Sequence, residues 1–312
     1  MNHIHFRIPF YQLLSMYEGS YDRVLKIKRE PTMTKQIRLS IVAACVLFAS
    51  SAAAADVSVA KDVKQSRVFA PAMSLSYVPF GMIDPSGKPA GFDVELAHQV
   101  ADLLDAELKI QTVTFPNQIP GLVSGRLKVA WSTFSVTAER LKQVDFVGYL
   151  QAGSVAGVLP ANTEKWKKSL CGATVAVAQG SSGDFVVDKL NKDCADEGKP
   201  EIKKTIYPDQ RQEIQATLTG RVDAWLDDST VVGNFQQQSK SQLVVTGPNY
   251  YPLPLAMAVA KGDMETAEML RSALQALIEN GKYGELLKNY NLQDSAIERA
   301  VIYTSADQVP QK

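Results

Sequence analysis

Apolar residues recur at helical spacing in several stretches of the chain. Leu96, Val100, Leu103 and Leu104 fall on one side of a helix from Asp93 to Leu104, with Glu95, His98, Gln99 and Asp102 elsewhere, so this helix packs on a sheet. Ala267, Leu270, Leu274, Leu277 and Ile278 repeat in the same way until Asn280-Gly281 stops them, and Lys282 to Tyr290 begins another short helix. The run Ala173 to Ala178 predicts a buried strand. It is followed by the turn Gln179-Gly180-Ser181-Ser182-Gly183-Asp184 and a helix beginning near Asp184. Two further segments echo one another: Ile119 to Gly125-Arg126 and Ile214 to Gly220-Arg221 share spacing, apolar pattern, a terminal Gly-Arg and a following apolar run. Each reads as helix, glycine stop, strand. Two such units predict an α/β protein of two lobes, each presenting polar residues at the carboxyl end of a strand, where open α/β sheets bind ligands.

The polar residues at those strand ends carry complementary chemistry. Ser132-Thr133-Phe134-Ser135, followed by Thr137-Ala-Glu-Arg140, offers hydroxyls, free N–H groups at a helix start and a guanidinium, which together receive a carboxylate. In the second unit Asp227-Asp228 ends the strand and offers a carboxylate to an ammonium. A molecule bearing both charges, such as a free amino acid, would be held at both ends.

The N-terminal region changes the compartment. Met33-Thr-Lys35-Gln-Ile-Arg38 leads into the apolar run Leu39 to Phe48 and then Ala-Ser-Ser-Ala-Ala-Ala-Ala55, the pattern of a secretory signal peptide over residues 33–55. Residues 1–32 are read as an upstream mis-start. The run is shorter than the roughly 20 apolar residues of a membrane span, and Val42-Ala-Ala-Cys45 offers lipid anchoring at Cys45 as the lesser alternative. Beyond residue 55 the chain holds 26 basic and 30 acidic residues, which gives nucleic acid nothing to bind. An exported protein held in the periplasm is expected.

Cys171 and Cys194 then remain as an even pair in an oxidising compartment, which predicts a disulfide. His3 and His5 precede the signal peptide, leaving His98 on the outer face of its helix. No base is therefore at hand for a Ser-His-Asp or Cys-His set. Walker and Rossmann glycine patterns and metal-ligand clusters are lacking, so no catalytic residue, cofactor or metal is expected.

Gly91-Phe92-Asp93-Val94-Glu95-Leu96 with Val100-Ala101 and Leu104 resembles the signature of the family 3 solute-binding proteins of ABC importers. The likeness extends to Tyr77-Val-Pro-Phe80, to Phe115 ahead of Ile119-Pro-Gly-Leu and to Ser135-Val-Thr137-Ala-Glu-Arg140. It continues through Leu170-Cys-Gly172, Gln179-Gly-Ser and Gly220-Arg-Val-Asp-Ala224 to Asn280-Gly-Lys-Tyr283, covering nearly all of residues 65–292 in order. The resemblance implies a type II periplasmic-binding-protein fold. Lobe 1 would comprise residues 56–150 plus 256–312 and lobe 2 residues 151–255, joined by crossovers near Tyr149 to Gln151 and Pro252 to Ala256. It implies a ligand carboxylate on Arg140 with Thr133, Ser135 and Ser182, an ammonium on Asp228 with Ser132 and Ser135 nearby, and Tyr77 and Phe115 around the aliphatic part.

It also implies a monomer that captures a polar amino acid or derivative and delivers it to a permease in the inner membrane. Departures from the family pattern are Lys128 where Asp is usual, Gly148 for a frequent Pro, and Ser74 for the acid that relatives binding histidine or glutamine carry. Asp227 falls where those relatives place a side-chain contact. A second function class, a secreted lyase resembling cyclohexadienyl dehydratases, would need Asp227 as a general acid in the cleft.

Overall fold

The computed structural model describes residues 57–309. The expected mis-start, signal peptide and Cys45 lie outside the described residues. Nine strands form one sheet: β1 (Ala72–Met73), β2 (Gln111–Thr112), β3 (Val129–Ser135), β4 (Val144–Val158), β5 (Thr174–Ala178), β6 (Lys203–Tyr207), β7 (Ala224–Asp228), β8 (Val244–Ala260) and β9 (Val301–Tyr303). Their order is β6-β5-β7-β4-β8-β3-β1-β2, with β9 also beside β4. β5 is parallel to both β6 and β7. It reads Thr-Val-Ala-Val-Ala without alternation, as a parallel strand covered on both faces must.

Two long strands join the halves. The distal part of β4 pairs with β7, Asp228 lying opposite Ser154, while its proximal part pairs with β9. β8 follows β4 antiparallel along its length, and its last residues also pair with β3. Both expected crossover stretches fall inside these strands. The β4–β8 ladder slips between Thr246 and Tyr250 and again between Tyr250 and Leu253.

One core gathers Phe92, Leu96, Trp131, Tyr149, Leu270 and Leu274, and another gathers Val175, Val177, Val187, Cys194 and Leu226. Cys171 and Cys194 are joined, with Cα atoms 5.7 Å apart. The helix Phe92–Leu103 begins one residue earlier than the periodicity indicates. It starts after Gly91, whose φ of 115° and approach to Phe80 O leave no space for a Cβ.

The echoed units keep one register. The helices Phe115–Val123 and Gln210–Leu218 each have 9 residues and keep the 95-residue offset at both ends. Gly125 and Gly220 take φ of 72° and 67°. Leu127 N donates to Gly121 O at 3.0 Å, and Val222 N to Ala216 O at 3.4 Å. The same glycine stop thus feeds β3 in one unit and β7 in the other.

Candidate functional site

The carboxyl ends of β3 and β7 both reach a cavity of about 290 Å³, close to the lower end of the roughly 300–1,000 Å³ usual for ligand pockets. Eight of the nine expected ligand residues line it: Tyr77, Phe115, Ser132, Thr133, Ser135, Arg140, Ser182 and Asp228. The ninth, Asp227, does not.

β3 presents its hydroxyls through a local irregularity. Ala256 pairs with Phe134 and the next residue, Met257, pairs with Trp131, so Ser132 and Thr133 bulge from the ladder. Thr133 consequently holds a φ of 50°, left-handed for a β-branched residue, a conformation costing about 1–3 kcal/mol and concentrated at functional sites. Its buried Oγ1 has no partner. Ser132 Oγ, by contrast, accepts from Ser74 N and Gln118 Nε2 and donates to Trp131 O, so its capacity is used within the protein.

Arg140 follows at the short helix Ala138–Leu141, which Thr137 caps by accepting from Arg140 N at 3.3 Å. The guanidinium is buried, donating to Ser135 O at 2.7 Å and to Gly180 O at 2.6 Å. Rings of Phe115, Phe134 and Phe185 stand 5.3–5.6 Å from its Cζ. Three of its five N–H donors remain, and among the described residues no carboxylate pairs with it. Burial pushes its pKa down to about 10, against the opposing pull of Asp228. A buried cation bonded only to carbonyls is a receptor for an anion.

The opposite wall is built by β7 and the helix Ser182–Asp196. Gly183 lets that helix approach β7: a Cβ there would meet Leu226 O at 2.1 Å. Ser181 caps the helix by accepting from Asp184 N, and Ser182 Oγ donates to Asp228 Oδ1 at 2.8 Å. Tyr77 OH contacts Asp228 Oδ2 at 3.1 Å and Asp227 Oδ1 at 2.7 Å. Burial raises the Asp228 carboxyl above its ordinary range, while Ser182, Tyr77 and Arg140 pull it back. No cation pairs with Asp228 among the described residues. Asp227 stands behind this wall, its Oδ1 also accepting from Asp228 N at 2.8 Å. The side-chain contact expected of Asp227 is therefore not made through the cavity surface.

Ser74, Thr114, Gln179, Asp209 and Gln210 also line the cavity. Gln210 spans it: its amide accepts from Val78 N and donates to Val78 O, both at 3.1 Å. Sequence reasoning missed Gln210, which the echo, extended four residues toward the N-terminus, sets in the place of Phe115. Phe185, in the first turn of the helix that begins at Ser182, carried no signal in the sequence.

A sequence model described as bacterial extracellular solute-binding proteins, family 3, matches residues 71–293. The chain is 27% identical over 229 residues to the arginine-binding protein ArgT of Corynebacterium glutamicum, covering 72% of this chain and 75% of that protein. It is 29% identical over 223 residues to the glutamine-binding protein GlnH of Bacillus subtilis, covering 70% and 78%. Among solved structures it resembles an ancestral amino acid-binding protein, AncCDT-1, described as a precursor of cyclohexadienyl dehydratase. The TM-score is 0.66 at 26% identity, with 73% of this chain and 97% of that one covered. With the two-lobed fold and the cleft in place, the chain belongs to family 3 of the bacterial extracellular solute-binding proteins.

Proposed function

We propose that the protein is the extracytoplasmic receptor of an ABC importer, capturing a free amino acid or close derivative in the cleft and passing it to an inner-membrane permease. One observation carries this reading: Arg140 and Asp228, both buried and neither ion-paired, line a single cavity. A zwitterion satisfies both at once. Its carboxylate takes the free N–H groups of Arg140 with Thr133 and Ser135, and its ammonium joins Ser182 and Tyr77 on Asp228. The aliphatic part lies between Tyr77 and Phe115. The names of the relatives, which bind arginine and glutamine, support an amino-acid ligand. Export through the 33–55 signal peptide, a monomeric state and lobes divided at residues 150/151 and 255/256 complete the proposal.

The lyase reading draws on the dehydratase precursor. It is the weaker one, because Asp227, the acid it would use, lies behind Tyr77 and outside the cavity lining. The test is a thermal-shift screen of the protein against the amino acids and opines. A ligand at 100 times its dissociation constant adds about 2.7 kcal/mol. No shift with any of them, or turnover of a cyclohexadienyl acid, would overturn the receptor reading.

A further inference from the structure

Glu213 sits in the Gln210–Leu218 helix with 0% of its surface exposed, and among the described residues neither carboxyl oxygen has a hydrogen-bond partner. A buried carboxylate with no partner takes up a proton rather than keep its charge. Asp227, on the strand against which that helix packs, is buried too. Its Oδ1 accepts from Tyr77 OH and Asp228 N, while its Oδ2 has no partner. The Trp225 indole N–H lies near both carboxyls and completes a hydrogen bond to neither.

The repeat within the fold supplies the interpretation. At the 95-residue offset that relates the two helices, Gln118 occupies the place of Glu213, and Ser132 that of Asp227. Gln118 is likewise fully buried, and its Nε2 donates to Ser132 Oγ at 2.8 Å. In the first unit, then, a helix side chain donates to the strand residue just before Thr133, the counterpart of Asp228. The matching bond in the second unit needs a donor at 213, and a glutamic acid donates only when protonated.

We propose that Glu213 is a protonated acid that does for Asp227 what Gln118 does for Ser132, and so is a positioning residue for Asp228. Burial, then Asp228, raise the Asp227 carboxyl too, to about 7, but it accepts two hydrogen bonds and Glu213 accepts none, so of the two Glu213 is the one that holds its proton to higher pH. Burial, then the charges of Asp227 and of Asp209 at the helix start, push the Glu213 carboxyl well above the usual carboxylate range. On the far side of Asp227, Tyr77 donates, Asp228 repels, and Arg140 acts on Asp228. Held in this way, Asp227 fixes the Tyr77 hydroxyl and the Asp228 amide, and with them the carboxylate that meets an ammonium. That last consequence rests on the receptor reading of the cleft; the location of the proton does not.

The experiment is urea unfolding of the ligand-free protein at pH 5, 6, 7 and 8, comparing the native chain with Glu213→Gln and Glu213→Ala. Unfolded Glu213 ionises near its ordinary pKa of about 4.3, whereas the folded form keeps its proton. The folded protein therefore binds one proton more, and its stability falls as pH rises above about 5 until the folded pKa is reached. Glutamine donates at every pH. Glu213→Gln should remove up to about a tenfold loss in the folding constant per pH unit and exceed the native stability at pH 7, with Glu213→Ala less stable than Glu213→Gln throughout. A native slope in Glu213→Gln, or stability no better than that of Glu213→Ala, would overturn the proposal. If Glu213→Gln does not fold, infrared difference spectra of the native protein and Glu213→Ala at pH 8 decide: a carboxylic-acid C=O band lost in Glu213→Ala supports it and an unchanged band region refutes it, since Asp93 and Asp227, also raised by burial, are present in both. None of these measurements needs a ligand, so failure here is separate from failure of the receptor reading.

Discussion

The chain from Phe115 to Ser135 and the chain from Gln210 to Asp228 follow the same path of helix, left-handed glycine and strand, yet they deliver opposite charges to the same cavity. In the first unit, β3 bulges at Ser132–Thr133 and the chain runs on to Thr137 before turning into the helix that carries Arg140. In the second, β7 keeps its ladder to Asp228 and enters the helix Ser229–Gln238 directly, with no cap bond from the Asp228 side chain. That carboxylate is thus left for Ser182, Tyr77 and a ligand. The units also differ in their anchorage. Asp223 Oδ2 accepts from Thr174 N at 2.9 Å and ties β7 to its neighbour, while Lys128 at the corresponding place cannot accept a bond. The backbone sets where a wall of the cleft stands, and the few residues at or just beyond each strand end set its charge.

Removing the cation half should break the pairing most. Arg140→Ala leaves a buried carboxylate without its partner, a cost of about 2–5 kcal/mol. Calorimetry with the ligand found by screening should show at least a thirtyfold loss of affinity with the fold intact. A change under threefold would refute the carboxylate clamp.

The halves should also differ in stability, because only the second is stapled. Replacing Cys171 and Cys194, which close a loop over a sequence separation of 23, should cost roughly 3 kcal/mol on the chain-entropy estimate while leaving affinity within twofold. Thiol titration of the unreduced protein after unfolding should find no free thiol at these positions. Two would contradict the bond.

Acid titration addresses the anionic half alone. Burial holds the ligand-free Asp228 carboxyl up at about 6, and only its ionised form receives an ammonium. Affinity should be full above that pH and decline as pH falls through it, by up to about tenfold per unit. A flat profile between pH 7 and pH 5 would remove Asp228 from ammonium binding.

The smallest effect is expected at Asp227. Because it stands behind the wall and an asparagine Oδ1 can still accept from Tyr77 OH and Asp228 N, Asp227→Asn should alter affinity by less than about threefold, and equally for cationic and neutral amino acids. A tenfold loss confined to cationic ligands would put Asp227 back in the side-chain pocket.

Local signals in the sequence located both walls. Gly125-Arg126 and Gly220-Arg221 marked the turns, and Arg140 and Asp228 stood out as charges just after predicted strands. What stayed hidden depended on contacts between distant segments. Nothing near Ser132 reveals that Ser74 and Gln118 use up its hydroxyl. Alternation along β7 cannot show that Tyr77, 150 positions away, reaches Asp227. Gln210 was within reach of the echo, yet its bond to Val78 arises only when the two halves meet.

The interleaved path of the chain bears on how the protein is assembled. The second core draws mainly on one continuous stretch, whereas the first joins Phe69 and Phe92 to Leu270, Leu274 and Tyr283. Ser58 N, near the start of the described chain, bonds Ser272 Oγ across a separation of 214 residues. Closing a loop of that length brings no reward until its far end arrives. During synthesis the half holding Arg140 must therefore wait for its far segment, while the half holding Asp228 can already be packed.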